Sequence, residues 1–183
     1  MVKLAEGTNV IVPTTFEQNY KLSAKQLEEA ITPKTKAIIL CSPSNPTGSV
    51  YSKKELEELV SVLKNYPNII VIADEIYEHI NYVGKHESIA QFSEIFDRTV
   101  IVNGVSKGYA MTGWRIGWIA APQWIASACN KLQGQYTSGP SSIAQKAAEA
   151  AYTGSQDCVE EMRKAFENRK NLILKLASEI EGF

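Results

Sequence analysis

The chain is poor in the residues that close covalent or metal frameworks. It holds three cysteines, at positions 41, 129 and 158, and two histidines among 183 residues. An odd number of widely spaced cysteines makes no disulfide framework, and reduced, inert thiols in a cytoplasmic setting fit better. No CxxC pair accompanies His79 or His86, so no metal site is expected and both histidines read as surface residues. Neither charge is in excess: 19 Lys+Arg against 20 Asp+Glu leave a net charge of −1. That argues against a nucleic-acid binder held by phosphate contacts, which needs a basic face. No apolar run approaches the roughly 18 residues of a membrane span. The start, MVKLAEG, has no long apolar segment behind its lysine, so a secretory signal is not expected either. A glycine-rich phosphate fingerprint after a strand is also missing, which speaks against a plain nucleotide-binding domain.

What is present is the composition of a soluble globular domain, 44% hydrophobic and 21% charged, in a chain long enough for one substantial core. Strand-like and helix-like segments alternate. TNVIVPT is a short β-branched run. Ser23-Ala24-Lys25-Gln26 reads as a capping box opening a helix, and KAIIL follows as a strand. Ser52-Lys53-Lys54-Glu55 repeats the device ahead of the apolar stripe Leu56, Leu59, Val60 and Leu63. NIIVIA has the continuous apolar character of a strand buried on both faces. After a short helix or irregular crossover at 86–97 come the strands TVIVN and WRIGWIAA. PQWIASACNKL predicts a helix with its proline in the first turn. An alanine-rich helix after Gly139-Pro140 and a long helix over 156–181 complete the pattern. In the latter, Val159, Met162, Phe166, Ile173, Leu176 and Ile180 keep a helical rhythm. The expectation is an α/β fold, helices covering a mostly parallel sheet.

In such a sheet ligands bind beyond the carboxyl ends of the strands. Three predicted strands end in SPSNPTG (42–48), in DEIY (74–77) and in GVSK (104–107), and right-handed crossovers would set these ends on one edge. Asn45, Asp74, Tyr77, Ser106 and Lys107 thus converge. Singly each has a structural reading: Asn45 shaping a turn, Asp74 a cap, Tyr77 a core ring, Lys107 a solvated lysine, Arg115 an ion-pair partner. Together they suit one chemistry. A lysine amine forms a Schiff base with an aldehyde, and a carboxylate pairs with a protonated ring nitrogen. Tyrosine and asparagine hydrogen-bond a phenolate oxygen, while arginine, serine and backbone amides hold a phosphate. That set of partners describes pyridoxal 5′-phosphate.

With SPSNPTG at 42–48, ADEIY at 73–77, SKGYAMTGWRIG at 106–117 and LQGQYTSGPSSIAQ at 132–145, the chain resembles the class I pyridoxal-phosphate-dependent aminotransferases of fold type I, the bacterial aspartate aminotransferases above all. The resemblance implies a three-layer α/β/α large domain. It implies that Lys107 is the catalytic residue, forming the internal aldimine and moving the proton between Cα and the cofactor. It assigns Asp74 to the pyridine nitrogen, Tyr77 and Asn45 to the ring oxygen, and Ser106 and Arg115 to the phosphate. Some relatives carry another serine three residues before the lysine, where this chain has Gly104. The implied reaction moves an amino group from an L-amino acid, aspartate, to a 2-oxo acid in a cytoplasmic homodimer, with residues around Thr137 to Ser142 at the dimer contact. The alternatives are a β-lyase or synthase on the same fold, or a non-catalytic sensor domain. The family's chains are about twice as long. The expectation is therefore the central part of the large domain at 1–155, a long helix towards a further domain at 156–183, and an inactive fragment when taken alone.

Overall fold

The computed structural model describes residues 2–182. Helix α1 (Ala24–Ala30) and helix α2 (Lys53–Leu63) each start on the predicted capping box. Ser23 Oγ accepts from the Gln26 amide while Gln26 Oε1 accepts from the Ser23 amide, and Ser52 and Glu55 exchange the same two bonds. Each box satisfies donors that a helix start otherwise leaves open. Strands β1 (Ala37–Cys41), β2 (Ile70–Asp74) and β3 (Thr99–Gly104) are parallel neighbours in that order. Strand β4 (Gly117–Ala120) pairs antiparallel with β3 at the edge. Only a loop joins β3 to β4, without the crossover element a parallel partner needs. Three further helices follow: α3 (Gln123–Tyr136), α4 (Ser142–Thr153) and α5 (Asp157–Ala177).

The main core lies between one sheet face and helices α1 and α2. Leu56, Leu59 and Leu63 of α2 are at most 1% exposed and pack with Leu40, Val71 and Ala73, whose alternation along β1 and β2 faces them. Arg98, buried just before β3, donates to the carbonyls of Leu63 and Ile69, tying the end of α2 to the start of β2. A second cluster joins Val105 and Ile116 to Ala144 and Ala148, seating α4 against the loop after β3.

Several expectations fail for tertiary reasons. TNVIVPT is not a strand; residues 8–12 are without regular structure, residues 8–11 exposed and Val12 half-buried, for among the described residues no strand lies beside them. NIIVIA is not buried on both faces, since Ile70 and Ile72 remain partly open. Pro122 caps α3 rather than entering its first turn. In α5 the helical rhythm is present as far as Ala177, where the helix ends short of the expected 181. Val159 and Ala177 are its buried residues while Ile173 and Leu176 face outward, and Ile180, beyond the helix end, is exposed too, as no described element covers them. Cys129 and Cys158 are exposed and Cys41 is half-buried. No helix among the described residues is long and apolar enough to cross a membrane.

Candidate functional site

The parallel register brings Cys41 beside Asp74 and Asp74 beside Val102, so three strand ends open on one edge. Beyond β2 the chain makes a helical turn, with the Glu78 amide donating to the Glu75 carbonyl at 2.9 Å and that of Ile80 to Tyr77 at 2.8 Å. Glu75 and Glu78, three apart across this turn, therefore share a side. Asp74 Oδ1 accepts from the Ile76 amide at 3.1 Å, so this carboxylate caps its own turn. Asn45 Nδ2 reaches across from the loop after β1 and donates to the Tyr77 hydroxyl at 3.1 Å. Lys107 Nζ, from the loop after β3, stands 5.6 Å from the centre of the Tyr77 ring.

Loop 106–112 faces α5 across a cavity of about 420 Å³, with Ser106, Lys107 and Thr112 on one wall and Met162, Phe166 and Arg169 on the other. Arg115 lies outside that cluster. It is exposed, in left-handed backbone at φ 55°, and its Nη1 donates to the Thr112 carbonyl at 2.8 Å. Thus Asn45, Tyr77 and Lys107 meet in space, Ser106 adjoins Lys107, Asp74 sits at the neighbouring strand end, and Arg115 reaches the site only through Thr112. Burial, reinforced by the Asp74 charge and only partly offset by the Asn45 amide, pushes the Cys41 thiol up, leaving it a neutral neighbour rather than a nucleophile.

The donor set suits a small anionic aldehyde with a basic aromatic nitrogen: one amine, one carboxylate, an amide–phenol pair, and hydroxyl and guanidinium groups beside loop amides. Gly104, at the end of β3, is closely packed against the chain entering β4. A Cβ there would lie 2.8 Å from Gly117 Cα and from the Ile116 carbonyl oxygen, so this backbone leaves no room for the serine some relatives carry.

Sequence reasoning missed the polar layer beneath the site. Glu75 is 5% exposed, and Ser88 Oγ and the His86 ring nitrogen Nε2 hydrogen-bond its carboxylate at 2.7 and 2.9 Å. His86 is therefore enclosed rather than superficial, and its Nδ1 has no partner among the described residues. Glu75, Glu78 and His86 bring three ligand-type atoms within 4.8 Å of one another, a grouping invisible to CxxC spacing. Two of the three already serve as partners for Ser88 and Asn103. The one available signal was the second acid in Asp74-Glu75, an ionisable residue continuing straight from a buried strand.

The family model described as aminotransferase class I and II matches residues 1–183. The bifunctional aspartate aminotransferase and glutamate/aspartate-prephenate aminotransferase of Petunia hybrida is 49% identical over 187 residues, covering 100% of this chain and 39% of its own length. The aspartate aminotransferase of Bacillus sp. strain YM-2 is 52% identical over 185 residues, covering 100% of this chain and 47% of itself. The crystal structure of the aspartate aminotransferase from Rhizobium meliloti superposes with a TM-score of 0.95 at 40% identity, over 99% of this chain and 46% of that one. The chain thus spans less than half the length of these relatives.

Proposed function

The chain belongs to the aminotransferase class I and II family, and from that premise we propose that it carries the cofactor-holding half of a pyridoxal-phosphate site for amino-group transfer from aspartate to a 2-oxo acid. The observation that carries the reading is the convergence of Lys107 on the Tyr77 ring, with the Tyr77 hydroxyl held by Asn45. When bound, the cofactor supplies an aldehyde carbon and a ring that accepts electrons from the substrate Cα. Lys107 would hold the aldehyde covalently and, once released, move the proton at the substrate Cα. Asp74 would keep the ring nitrogen protonated, while the Tyr77 hydroxyl and the Asn45 amide bind the ring oxygen. Ser106 and Arg115 would take the phosphate.

Residues 1–155 form, in this reading, the central part of the large domain, and 156–183 the helix leading away from it. A cytoplasmic homodimer is part of the proposal, with the exposed stretch 137–142 at the contact and the open side chains Trp124, Leu132 and Tyr136 nearby. For the 183 residues assayed alone we expect cofactor attachment without useful transamination. The test is titration with pyridoxal phosphate followed by borohydride. A visible absorption band and a pyridoxyl group fixed on Lys107, both absent in Lys107→Ala, are expected. Identical behaviour of the two proteins refutes the reading.

A further inference from the structure

We propose that Glu78 and Asn103 form a strut that positions Tyr77 against Lys107, with Glu75 anchoring the same turn from its buried side. This rests on the cofactor-binding reading above. The turn after β2 has two working sides. Tyr77 meets Asn45 and Lys107, whereas Glu75 and Glu78 meet quite different partners. Asn103, 4% exposed in β3, uses both ends of its amide: Nδ2 donates to Glu78 Oε1 at 2.9 Å, and Oδ1 accepts from the Gly104 amide at 2.7 Å. The turn that bears Tyr77 is thereby fixed to the strand that delivers Lys107 four residues later.

A second route runs through the next residue. His79 Nε2 lies 3.3 Å from Glu78 Oε1, and its ring packs on Gly108 so closely that a Cβ there would come within 2.5 Å of the imidazole. The Lys107 segment is therefore gripped on both sides, at Asn103 and at Gly108, by residues of the Tyr77 turn. Glu75 completes the hold. Its carboxylate takes Ser88 and His86, and its amide donates to the Val102 carbonyl at 2.9 Å. An enclosed carboxylate is a poor way to gain stability, since desolvation offsets the pairing, but its directional bonds fix orientation. A site that must hold reacting groups to about 0.5 Å needs such support.

The full chain, its Glu78→Ala and its Glu78→Gln variants are titrated with pyridoxal phosphate, fixed with borohydride and read by peptide mass spectrometry at Lys107. Loss of the strut in Glu78→Ala is expected to raise the half-saturating concentration about tenfold, with Glu78→Gln, which keeps an oxygen for Asn103, within about twofold of wild type. The pH midpoint of the visible band should move in Glu78→Ala and stay in Glu78→Gln, which a merely structural role would not produce. Glu78 is 29% exposed, so the variants should fold. If the alanine variant unfolds, Glu78→Asp, with its carboxylate one methylene short, takes its place and should load less well than Glu78→Gln. Wild-type loading by Glu78→Ala or Glu78→Asp, or equal impairment of Glu78→Gln, overturns the proposal. Absence of attachment in the wild-type chain itself overturns the cofactor reading, and the strut with it.

Discussion

Gly104 offers a direct test of how tightly the end of β3 is built. Its backbone is ordinary extended strand, so replacing it with alanine introduces no left-handed strain; by chain entropy alone the change should stabilise by about 0.4–1 kcal/mol. The contact decides otherwise. The new Cβ would sit 2.8 Å from Gly117 Cα and from the Ile116 carbonyl oxygen, backbone atoms that cannot rotate away. Strand β4 must retreat by about 0.6 Å to reach an ordinary contact, an overpacking whose usual cost of about 1–3 kcal/mol exceeds the entropic gain. The net loss should be about 1–2 kcal/mol, which for a chain of this size lowers the unfolding midpoint by about 3–6 °C. Thermal unfolding followed by circular dichroism measures it, and Gly104→Ser should behave no better. A Gly104→Ala protein as stable as wild type, or more so, would show that β4 gives way freely and that the close approach constrains nothing.

Arg98 has no carboxylate partner among the described ion pairs; its charge is answered by the Ile69 carbonyl and by that of Leu63 at the negative end of α2. Truncation in Arg98→Ala takes the donor from the Ile69 carbonyl and leaves that of Leu63 with the Tyr66 amide alone, and should cost about 2 kcal/mol in urea unfolding, with Arg98→Lys intermediate; a loss below about 1 kcal/mol contradicts the arrangement. Glu55 supplies the pH dependence. Burial pushes its carboxyl up, but the Lys21 ammonium at 2.9 Å and the Ser52 amide and hydroxyl outweigh this and hold it below the ordinary 4.5. Its folded value being depressed, the stabilisation is full above 4.5 and is lost as pH falls through the lower folded value. Glu55→Gln should therefore be less stable than wild type at pH 7 and converge with it in acid, and a gap that persists unchanged in acid contradicts the assignment.

The sequence by itself determined whatever depends on neighbours in the chain. Ser23 with Gln26 and Ser52 with Glu55 start helices because a capping box closes within four residues. The runs ending at Cys41, Asp74 and Gly104 form strands, and right-handed crossovers make them parallel, which is why Asn45, Asp74, Tyr77 and Lys107 could be expected on one edge. Tertiary structure decided whatever depends on a neighbour from elsewhere. TNVIVPT has strand composition but no partner, and the outer stripe of α5 has core composition but no cover, so neither is buried. Glu75 and His86 are polar residues of unremarkable spacing, enclosed because the 81–88 loop folds back over the turn after β2. Arg115, part of the lysine motif in sequence, has its guanidinium on the Thr112 carbonyl, a contact the motif does not announce. Periodicity and capping are local and written in order along the chain; pairing, enclosure and orientation exist only between segments, and the packed fold assigns them.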